Sequence, residues 1–283
     1  MYERVDKIPL TATGHVRREL KSIVLKDYSY RNKVKKAINT NPHIYNLLLQ
    51  AFMGGYTHAN WIYADEILEN VDSWDFTSSY PYVIVSHPYP ATEFKKCTIT
   101  KREEMSKRFA YLLVVKLTKI KCKYYNNFIS ASKCRNIKGG RYDNGRIIEA
   151  DELEITLTDI DFYFILDTYD ADYEILECYY SKYNYLPKQF IEFCLDKYVN
   201  KTQYKNVAGK EVEYNREKQN FNSLYGMSVT NTIKDKVIFD TDTGLWHEEQ
   251  LKNDEIIELL EKEKEKSFLS FAYGVWVTRI RTK

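Results

Sequence analysis

Apolar and polar residues alternate along several short segments of the chain, which predicts β-strands. Apolar and basic residues alternate over Tyr111–Lys123, and apolar and polar residues alternate over Leu153–Leu157. Successive side chains of a strand point to opposite faces, so the first segment should be a half-buried strand with a positive outer face. Val237–Phe239 and Leu245–His247 flank a turn rich in Asp, Thr and Gly and predict a hairpin.

Other segments carry the periodicity and start signals of helices. Thr158 or Asp159 is placed to cap a helix that follows the second strand. Further helices are predicted over Phe190–Tyr198, Glu211–Tyr225 and Asp254–Lys266, the last of which should be a charged surface helix. Helices and antiparallel strands occur without a β-α-β alternation, so the predicted fold class is α+β.

Charged residues are segregated along the chain, although the net charge is only +2. Residues 1–40 hold ten Lys and Arg against four acids, residues 116–141 hold eight basic residues and no acid, and residues 149–177 hold eleven acids and no base. Basic runs could follow a phosphate backbone, which the acidic run would repel. We therefore expect segment 87–195 to dock a basic protein through its acidic run. The alternative is that the opposite runs form solvated faces that balance one another.

The five cysteines are scattered, without a C-x-x-C pair or a zinc-type pairing with histidine. This usage is typical of reduced thiols in a cytosolic protein. No apolar run approaches the roughly 18 residues of a membrane span, and the N-terminus has no signal-peptide pattern. We expect a cytoplasmic protein without membrane contact.

One face of the predicted helix at Glu211–Tyr225 has an unusual composition. Lys218, Asn222, Tyr225 and Gly226 lie at positions i, i+4, i+7 and i+8 and share that face. Buried lysine and asparagine need partners, and glycine in a helix interior costs ~1 kcal/mol relative to alanine, so this face would make a poor core. A ligand explains it better: lysine for phosphate, tyrosine for a base or sugar, and glycine for close approach.

Asp75 follows the mostly apolar segment 62–74, which is expected to bring it to the end of a strand. Ser78, Ser79 and Tyr80 come within a turn of it. A carboxylate here could hold a divalent cation, which prefers oxygen ligands and substrate phosphates. The hydroxyls and backbone N–H groups that follow could bind those phosphates. Taken alone, an aspartate that caps a helix explains the segment as well.

Together, the two segments resemble motifs of the family B DNA polymerases. Residues 75–81 (DFTSSYP) resemble motif A, D-x-x-S-L-Y-P, and residues 218–226 (KQNFNSLYG) resemble motif B, K-x-x-x-N-S-x-Y-G. Their order and separation are similar to those of the protein-primed branch of phages and linear plasmids. Phe52–Gly55 resembles that branch's Y-x-G-G element with phenylalanine in place of tyrosine. Lys201-Thr202 resembles its K-T pair, and Gly274–Thr278 resembles the palm helix that precedes motif C.

The resemblance implies transfer of a deoxynucleotide to a primer hydroxyl or a terminal-protein hydroxyl at a site with two Mg²⁺ ions. Asp75 and the Phe76 carbonyl would hold metal, and Asp75 and Lys218 would be the catalytic residues. The nucleotide would contact Phe76, Ser78, Ser79, Tyr80, Lys201, Asn222, Tyr225 and Gly226, and DNA would contact Gly54, Gly55 and Ser223. The spacing leaves Lys205 and Lys210 as alternatives to Lys201.

The resemblance also implies a division of the chain into a polymerase palm, helical fingers and inserted terminal-protein regions. Residues 1–86 would be the N-terminal part of the palm with motif A, 87–195 a first terminal-protein region, 196–230 the fingers with motif B, 231–267 a second terminal-protein region, and 268–283 the start of the returning palm helix. Implied partners are primer–template DNA, deoxynucleoside triphosphates (dNTPs) and a terminal protein.

The family's exonuclease domain, motif C and thumb would lie outside this chain. We therefore expect the chain to be inactive alone. The sequence leaves open whether it is a piece of a longer chain or one half of a split polymerase that a second polypeptide with motif C and the thumb completes. If the gene belongs to a phage, the protein would work in the cytoplasm of the bacterial host.

Several readings compete with this one. Asp240 and Asp242 have the D-T-D spacing of motif C, but they precede the palm helix, and a turn explains them. Asp159 and Asp161 have the D-x-D spacing of metal-dependent glycosyltransferases, although a helix cap explains them too. The main alternative is a non-enzymatic module that binds nucleic acid or terminal protein. Binding of deoxynucleotides would distinguish it from a polymerase.

Overall fold

A computed structural model of the protein describes residues 9–57, 61–124, 127–231 and 233–282, with the backbone alone at 61, 281 and 282. Arg4 and Lys7 of the basic opening segment, and Lys283 at the end of the predicted palm helix, lie outside the described residues. The fold is α+β, as the sequence predicts. No described helix is long and apolar enough to cross a membrane.

The predicted helices form, each a few residues longer than predicted or with shifted bounds, and further helices form beside them. They are α1 (Ala12–Val24), α2 (Tyr28–Ala37), α3 (Pro42–Ala51), α4 (Ser79–Ser86), α5 (Asp159–Thr168), α6 (Lys188–Gln203), α7 (Glu211–Ser228), α8 (Asn253–Lys266) and α9 (Phe271–Thr282). Thr158 caps α5: its hydroxyl accepts from the Asp161 backbone N–H, and the Asp161 carboxylate accepts from the Thr158 N–H.

The strands form an antiparallel sheet and a separate hairpin. They are β1 (Tyr89–Pro90), β2 (Lys95–Cys97), β3 (Phe109–Cys122), β4 (Cys134–Lys138), β5 (Arg141–Asp143), β6 (Arg146–Thr158), β7 (Tyr169–Asn184), β8 (Lys236–Asp240) and β9 (Leu245–Glu249). The sheet order is β1-β7-β3-β6-β4, with β2 on β7 and β5 on β6. β8 and β9 form the predicted hairpin.

Contacts divide the chain into two compact units. Unit 1 consists of residues 1–46, 91–93 and 186–274, and unit 2 consists of residues 47–90, 94–185 and 275–283. The sheet lies in unit 2, and the hairpin with helices α1, α2, α6, α7 and α8 lies in unit 1. The five-part division drawn from the family resemblance stays a prediction.

The central strand β3 is buried more deeply than its alternating sequence predicts. Residues 110–115 are buried on both faces, and only the half from Lys116 onward alternates between buried and exposed positions. One face packs on the core of unit 2, where Leu113, Val115, Leu157 and Phe162 are fully buried. The prediction of a half-buried strand is therefore correct only for the C-terminal half of β3.

The basic and acidic runs neutralise one another across the sheet. β3 carries the lysines and lies between β6 and β7, which carry the acids. Ion pairs join Lys116 and Lys138 to Glu152, Lys119 to Asp172, Lys121 and Arg141 to Glu149, and Lys123 to Asp170. Antiparallel pairing places the two runs side by side, which favours the alternative of balanced solvated faces. Docking of a basic partner on segment 87–195 stays a prediction.

In unit 1, α1, α6 and α7 pack together through their apolar faces. The buried side chains are Val16, Leu20 and Val24 on α1, Phe190, Phe193 and Cys194 on α6, and Phe221, Leu224 and Met227 on α7. Polar contacts fix their register: Thr13 Oγ1 donates to Ser223 Oγ at 3.3 Å, and the buried Lys197 pairs with Glu19 at 2.6 Å. This packing determines which face of α7 stays open.

Candidate nucleotide-binding site

Helix α7 carries Lys218, Asn222, Tyr225 and Gly226, which we call the ligand face, on its open side. Lys218 and Asn222 are exposed, and Tyr225 and Gly226 are half-buried. The opposite face supplies the core contacts through Glu217, Phe221, Leu224, Met227 and Ser228. The helix therefore keeps Lys, Asn, Tyr and Gly out of the core, as the composition of that face suggests.

The surroundings of Gly226 give no packing reason for a glycine. A β-carbon placed there would meet no described atom within 4 Å. Gly274 on α9 differs, since its β-carbon would lie 2.6 Å from the Ser228 carbonyl oxygen and 2.4 Å from a Val229 methyl group. Close helix packing therefore requires Gly274, whereas Gly226 leaves an open space over the ligand face.

Lys201 lies near the end of α6 and faces α7. Its side chain is only 9% exposed, and its ammonium lies over the rings of Phe221, at 5.1 Å from the centroid, and Tyr198, at 5.9 Å. Burial lowers the pKa of Lys201, and the charges of Lys205 and Lys218 lower it further. The α6–α7 hairpin thus brings three lysines into electrostatic contact, which is a natural site for a polyphosphate.

Neighbouring lysines of this hairpin are neutralised by carboxylates. Lys197 pairs with Glu19, and Lys210 pairs with Glu213 at 2.7 Å. Neither Lys205 nor Lys218 forms an ion pair with any residue that the structure describes. Of the three lysines weighed ahead of motif B, Lys201 lies close enough to Lys205 and Lys218 for their charges to lower its pKa, while Lys210 already has a partner. Which of them contacts a triphosphate stays a prediction.

The predicted DNA contact Ser223 is tied into its own unit. Its hydroxyl donates to the Gln219 carbonyl at 2.8 Å and accepts from Thr13. A hydroxyl with both contacts has one acceptor site left for a further partner.

Motif A lies in unit 2, in an irregular exposed segment that leads into α4. Asp75 is exposed, and residues 64–78 contain no strand. The prediction that Asp75 ends a strand was wrong, and so was the alternative that it caps a helix, because Ser78 occupies that position. Ser78 has a left-handed backbone with φ of 58°, and Ser79 and Tyr80 form the first turn of α4.

Large apolar side chains flank Asp75 in the sequence without being buried. Ile67 is 95% exposed, Trp74 is 91% exposed and Phe76 is 87% exposed. Such residues do not form a strand because no neighbouring strand of the described chain pairs with them. Exposed apolar clusters of this kind mark interaction surfaces.

Gly54 and Gly55 follow α3 in an irregular segment, residues 52–57. They line a cavity of about 150 Å³ in unit 2 whose other walls include Lys133, Arg146 and Arg279. A β-carbon on Gly54 would meet no described atom within 4 Å. Lys133 and Arg146 beside accessible backbone form a surface to which a phosphodiester backbone could bind, whereas Arg279 is buried in an ion pair with Asp161.

Asp159 and Asp161 do not form a metal site. Asp161 pairs with Arg279, whose Nε lies 2.7 Å from Oδ1, and both side chains are at most 2% exposed. Asp159 accepts hydrogen bonds from Tyr183 Oη at 2.8 Å and Trp276 Nε1 at 3.1 Å. Burial raises the pKa of both carboxyls, to about 6 for Asp159. Both carboxylates are buried and bound by structural partners, so they are not available to hold the metal ion of a glycosyltransferase.

Asp240 belongs to the turn of the β8–β9 hairpin. Its Oδ1 accepts from the backbone N–H of Asp242 at 2.8 Å and of Thr243 at 3.4 Å, and these bonds lower its pKa. The described residues contain no group of three His, Cys, Asp or Glu side chains placed to hold a metal.

Sequence reasoning missed the aromatic residues that surround Lys201. Phe221 falls inside motif B at a variable position, and Tyr198 lies three residues before Lys201. The i, i+3 spacing of Tyr198 and Lys201 on one helix is a signal that could have indicated their contact.

Comparisons with known proteins support the family resemblance. The family model for "DNA polymerase type B, organellar and viral" matches residues 20–272. No curated protein matches the chain by sequence. The fold resembles solved structures of the phage phi29 DNA polymerase. The complex with primer-template DNA has a TM-score of 0.66 at 14% identity, and the ternary complex with incoming nucleotides has a TM-score of 0.65 at 16% identity.

Both matches cover 96% of this chain and 44% of the phi29 chain. The chain therefore spans less than half the length of the phi29 structures that it matches. At this level of identity, the likeness establishes the fold alone.

Proposed function

Because the chain belongs to the organellar and viral type B DNA polymerases, we propose that it supplies the palm and fingers of a DNA-directed DNA polymerase. Its residues would bind an incoming dNTP and position its α-phosphate for attack by a primer hydroxyl. The open face of α7 carries this proposal. Lys218, Asn222, Tyr225 and Gly226 lie on one side of the helix, and the charge of Lys218 reaches Lys201. Among the described residues, Lys218 has no ion-pair partner, and a β-carbon at Gly226 would meet no atom within 4 Å.

Each side chain of this face has a definite task in the proposed reaction. Lys201 and Lys218 would bind the triphosphate and neutralise the charge that develops on it, which is the main electrostatic work of phosphoryl transfer. Tyr225 would contact the sugar, together with Tyr80 of motif A. Asn222 and Gly226 would shape the pocket for the new base pair.

Asp75 and Phe76 would provide oxygen ligands for Mg²⁺. A carboxylate and an adjacent backbone carbonyl match the hard oxygen donors that Mg²⁺ prefers, and the exposure of Asp75 leaves its oxygens accessible. When bound, the metal would stabilise the attacking and leaving oxygens. Because no group of three metal-binding side chains occurs among the described residues, the nucleotide and a further carboxylate would complete the site.

We further propose that a motif C segment, in a longer form of this chain or in a second polypeptide, supplies that carboxylate. The exposed apolar residues Ile67, Val71, Trp74 and Phe76 support this proposal, since they would be buried when another strand pairs beside Asp75. A terminal protein is also proposed as a partner of segment 87–195, now mainly on the family resemblance. The ion pairs of Glu149, Glu152, Asp170 and Asp172 with basic residues of the same sheet weaken the electrostatic argument for it.

Nucleotide binding tests the proposed function. A fluorescent dATP analogue with Mg²⁺ should bind the wild-type chain, and Lys218→Ala should weaken binding roughly 10- to 100-fold, because a charge-assisted contact to phosphate is worth ~1.5–3 kcal/mol. Lys210→Ala is the matched control, since that lysine is paired with Glu213. Asp240→Asn is a second control in the hairpin turn.

Equal losses in all three variants would contradict the assignment of motif B. If the wild-type chain bound single-stranded or primed DNA but no dNTP, a non-enzymatic nucleic-acid-binding module would replace the polymerase reading.

A further inference from the structure

Two aromatic rings lie against the ammonium group of Lys201. Phe221 on α7 is 1% exposed and lies 5.1 Å from Lys201 Nζ, and Tyr198 lies one helical turn before Lys201 at 5.9 Å. The two ring centroids are 5.7 Å apart, with the rings tilted by 49°. Both rings therefore lie within the ~6 Å over which a cation is attracted to an aromatic face.

The two rings offset an environment that disfavours the charged form of Lys201. Burial disfavours the charged form of Lys201, and the nearby cations Lys205 and Lys218 repel it, so its pKa is lowered. The negative faces of the rings act in the opposite direction and favour the ammonium form. Without them, the lysine would lose charge or turn toward solvent, away from the other two lysines.

We propose that Phe221 and Tyr198 are positioning residues that keep the Lys201 ammonium in place beside Lys205 and Lys218 as a preformed polyphosphate site. This inference rests on the proposed function, because it gives Lys201 the task of binding a triphosphate. It adds that the aromatic character of position 221 controls nucleotide affinity through Lys201 without touching the nucleotide.

The chain contains a matched control for this proposal. Phe193 on α6 also lies beneath a lysine ammonium, at 5.1 Å from Lys197 Nζ, and is 4% exposed. Lys197, however, is neutralised by Glu19. Phe193→Leu therefore removes a buried ring of the same kind from the same unit, next to a lysine that has no part in the cluster.

Two measurements on the full chain test the proposal. Side-chain NMR of the lysines, with the Lys201 resonance assigned through Lys201→Arg, gives the pKa of Lys201. Calorimetric titration with inorganic tripolyphosphate gives the affinity for a polyphosphate that has no base or sugar. Phe221→Leu should lower the pKa of Lys201 further and weaken tripolyphosphate binding ~3- to 10-fold, as expected for loss of a partly desolvated cation–π contact.

The loss of affinity in Phe221→Leu should grow as the pH rises, because Lys201 then loses its proton at lower pH. Phe221→Tyr keeps the aromatic face and should restore both values. Phe193→Leu should leave both unchanged. Tyr198→Leu, at a side chain that is 40% exposed, repeats the test if Phe221→Leu does not fold.

An unchanged Lys201 pKa and unchanged affinity in folded Phe221→Leu would overturn the proposal and leave Phe221 as a core residue. The failure of the proposed function looks different. If wild type bound neither tripolyphosphate nor the dATP analogue, the NMR titration alone would decide whether the rings hold Lys201, while the polymerase assignment would fall.

Discussion

Replacement of Gly226 by alanine separates a structural reason for this glycine from a ligand-based one. A methyl group at position 226 would meet no described atom within 4 Å. Glycine to alanine inside a helix gains roughly 0.5–1 kcal/mol, mainly because glycine loses more backbone entropy on folding. Position 226 is close to the end of α7, so the lower part of this range applies. The free chain should therefore become slightly more stable.

Gly274→Ala is the matched substitution and should have the opposite effect. Its methyl group would lie 2.6 Å from the Ser228 carbonyl oxygen, which belongs to the backbone of α7 and cannot turn aside. Overpacking of this kind costs about 1–3 kcal/mol. Urea denaturation of the two variants should thus give shifts of opposite sign against wild type.

The same methyl group on Gly226 should weaken ligand binding. If a base pair approaches the open face of α7, the added methyl occupies part of its space, and a similar overpacking cost predicts a loss of roughly 5- to 100-fold in dATP-analogue or primer–template affinity. Fluorescence titration and denaturation of the same preparation measure both effects. Normal affinity in a stabilised Gly226→Ala would refute the ligand-facing role. Destabilisation of Gly226→Ala as large as that of Gly274→Ala would show that the space beside position 226 is not open.

Three further predictions concern the carboxylates of unit 2. Asp161→Asn should cost about 3–5 kcal/mol in urea denaturation, because it leaves the Arg279 charge buried without its partner; a loss below 1 kcal/mol would contradict the buried ion pair. Burial raises the Asp159 pKa from 3.8 to about 6, so the folded state binds this proton more tightly and stability should fall as the pH rises from about 4 to about 6. Asp159→Asn should remove about 3 kcal/mol of that dependence, and an unchanged pH profile would refute the assignment. Reversing the exposed Asp170 and Asp172 to lysine should change stability by less than ~1 kcal/mol, whereas a larger loss would mean that the ion-pair ladder holds the sheet together.

The sequence predicted local structure well where periodicity and capping signals act over a few residues. The Thr158 cap, the β8–β9 hairpin and the helix that carries motif B all form where the pattern places them. The four residues of the ligand face could be grouped from sequence because a helix repeats every 3.6 residues regardless of its neighbours.

The predictions that failed depended on what a segment meets in the fold. Residues 62–74 are apolar enough for a strand, but a strand needs a neighbour to pair its backbone, and the described chain offers none there. Residues 110–115 do not alternate between buried and exposed positions, because both faces of β3 are covered there. Burial on a given face is decided by partners distant in sequence.

Sequence alone thus predicted the helices and the hairpin that have clear local signals, and the grouping of the ligand-face residues on one side of α7, since each follows from short-range geometry. Tertiary structure decided how charges and rings are paired. It placed six cations of residues 116–141 in ion pairs with the acidic run through antiparallel pairing, and it turned Asp159 and Asp161 into buried anchors for Trp276 and Arg279. It also placed the Lys201 ammonium over the ring of Phe221. Long-range contacts fix these pairings because the energy of a charge depends on its burial and its neighbours, which no local pattern records.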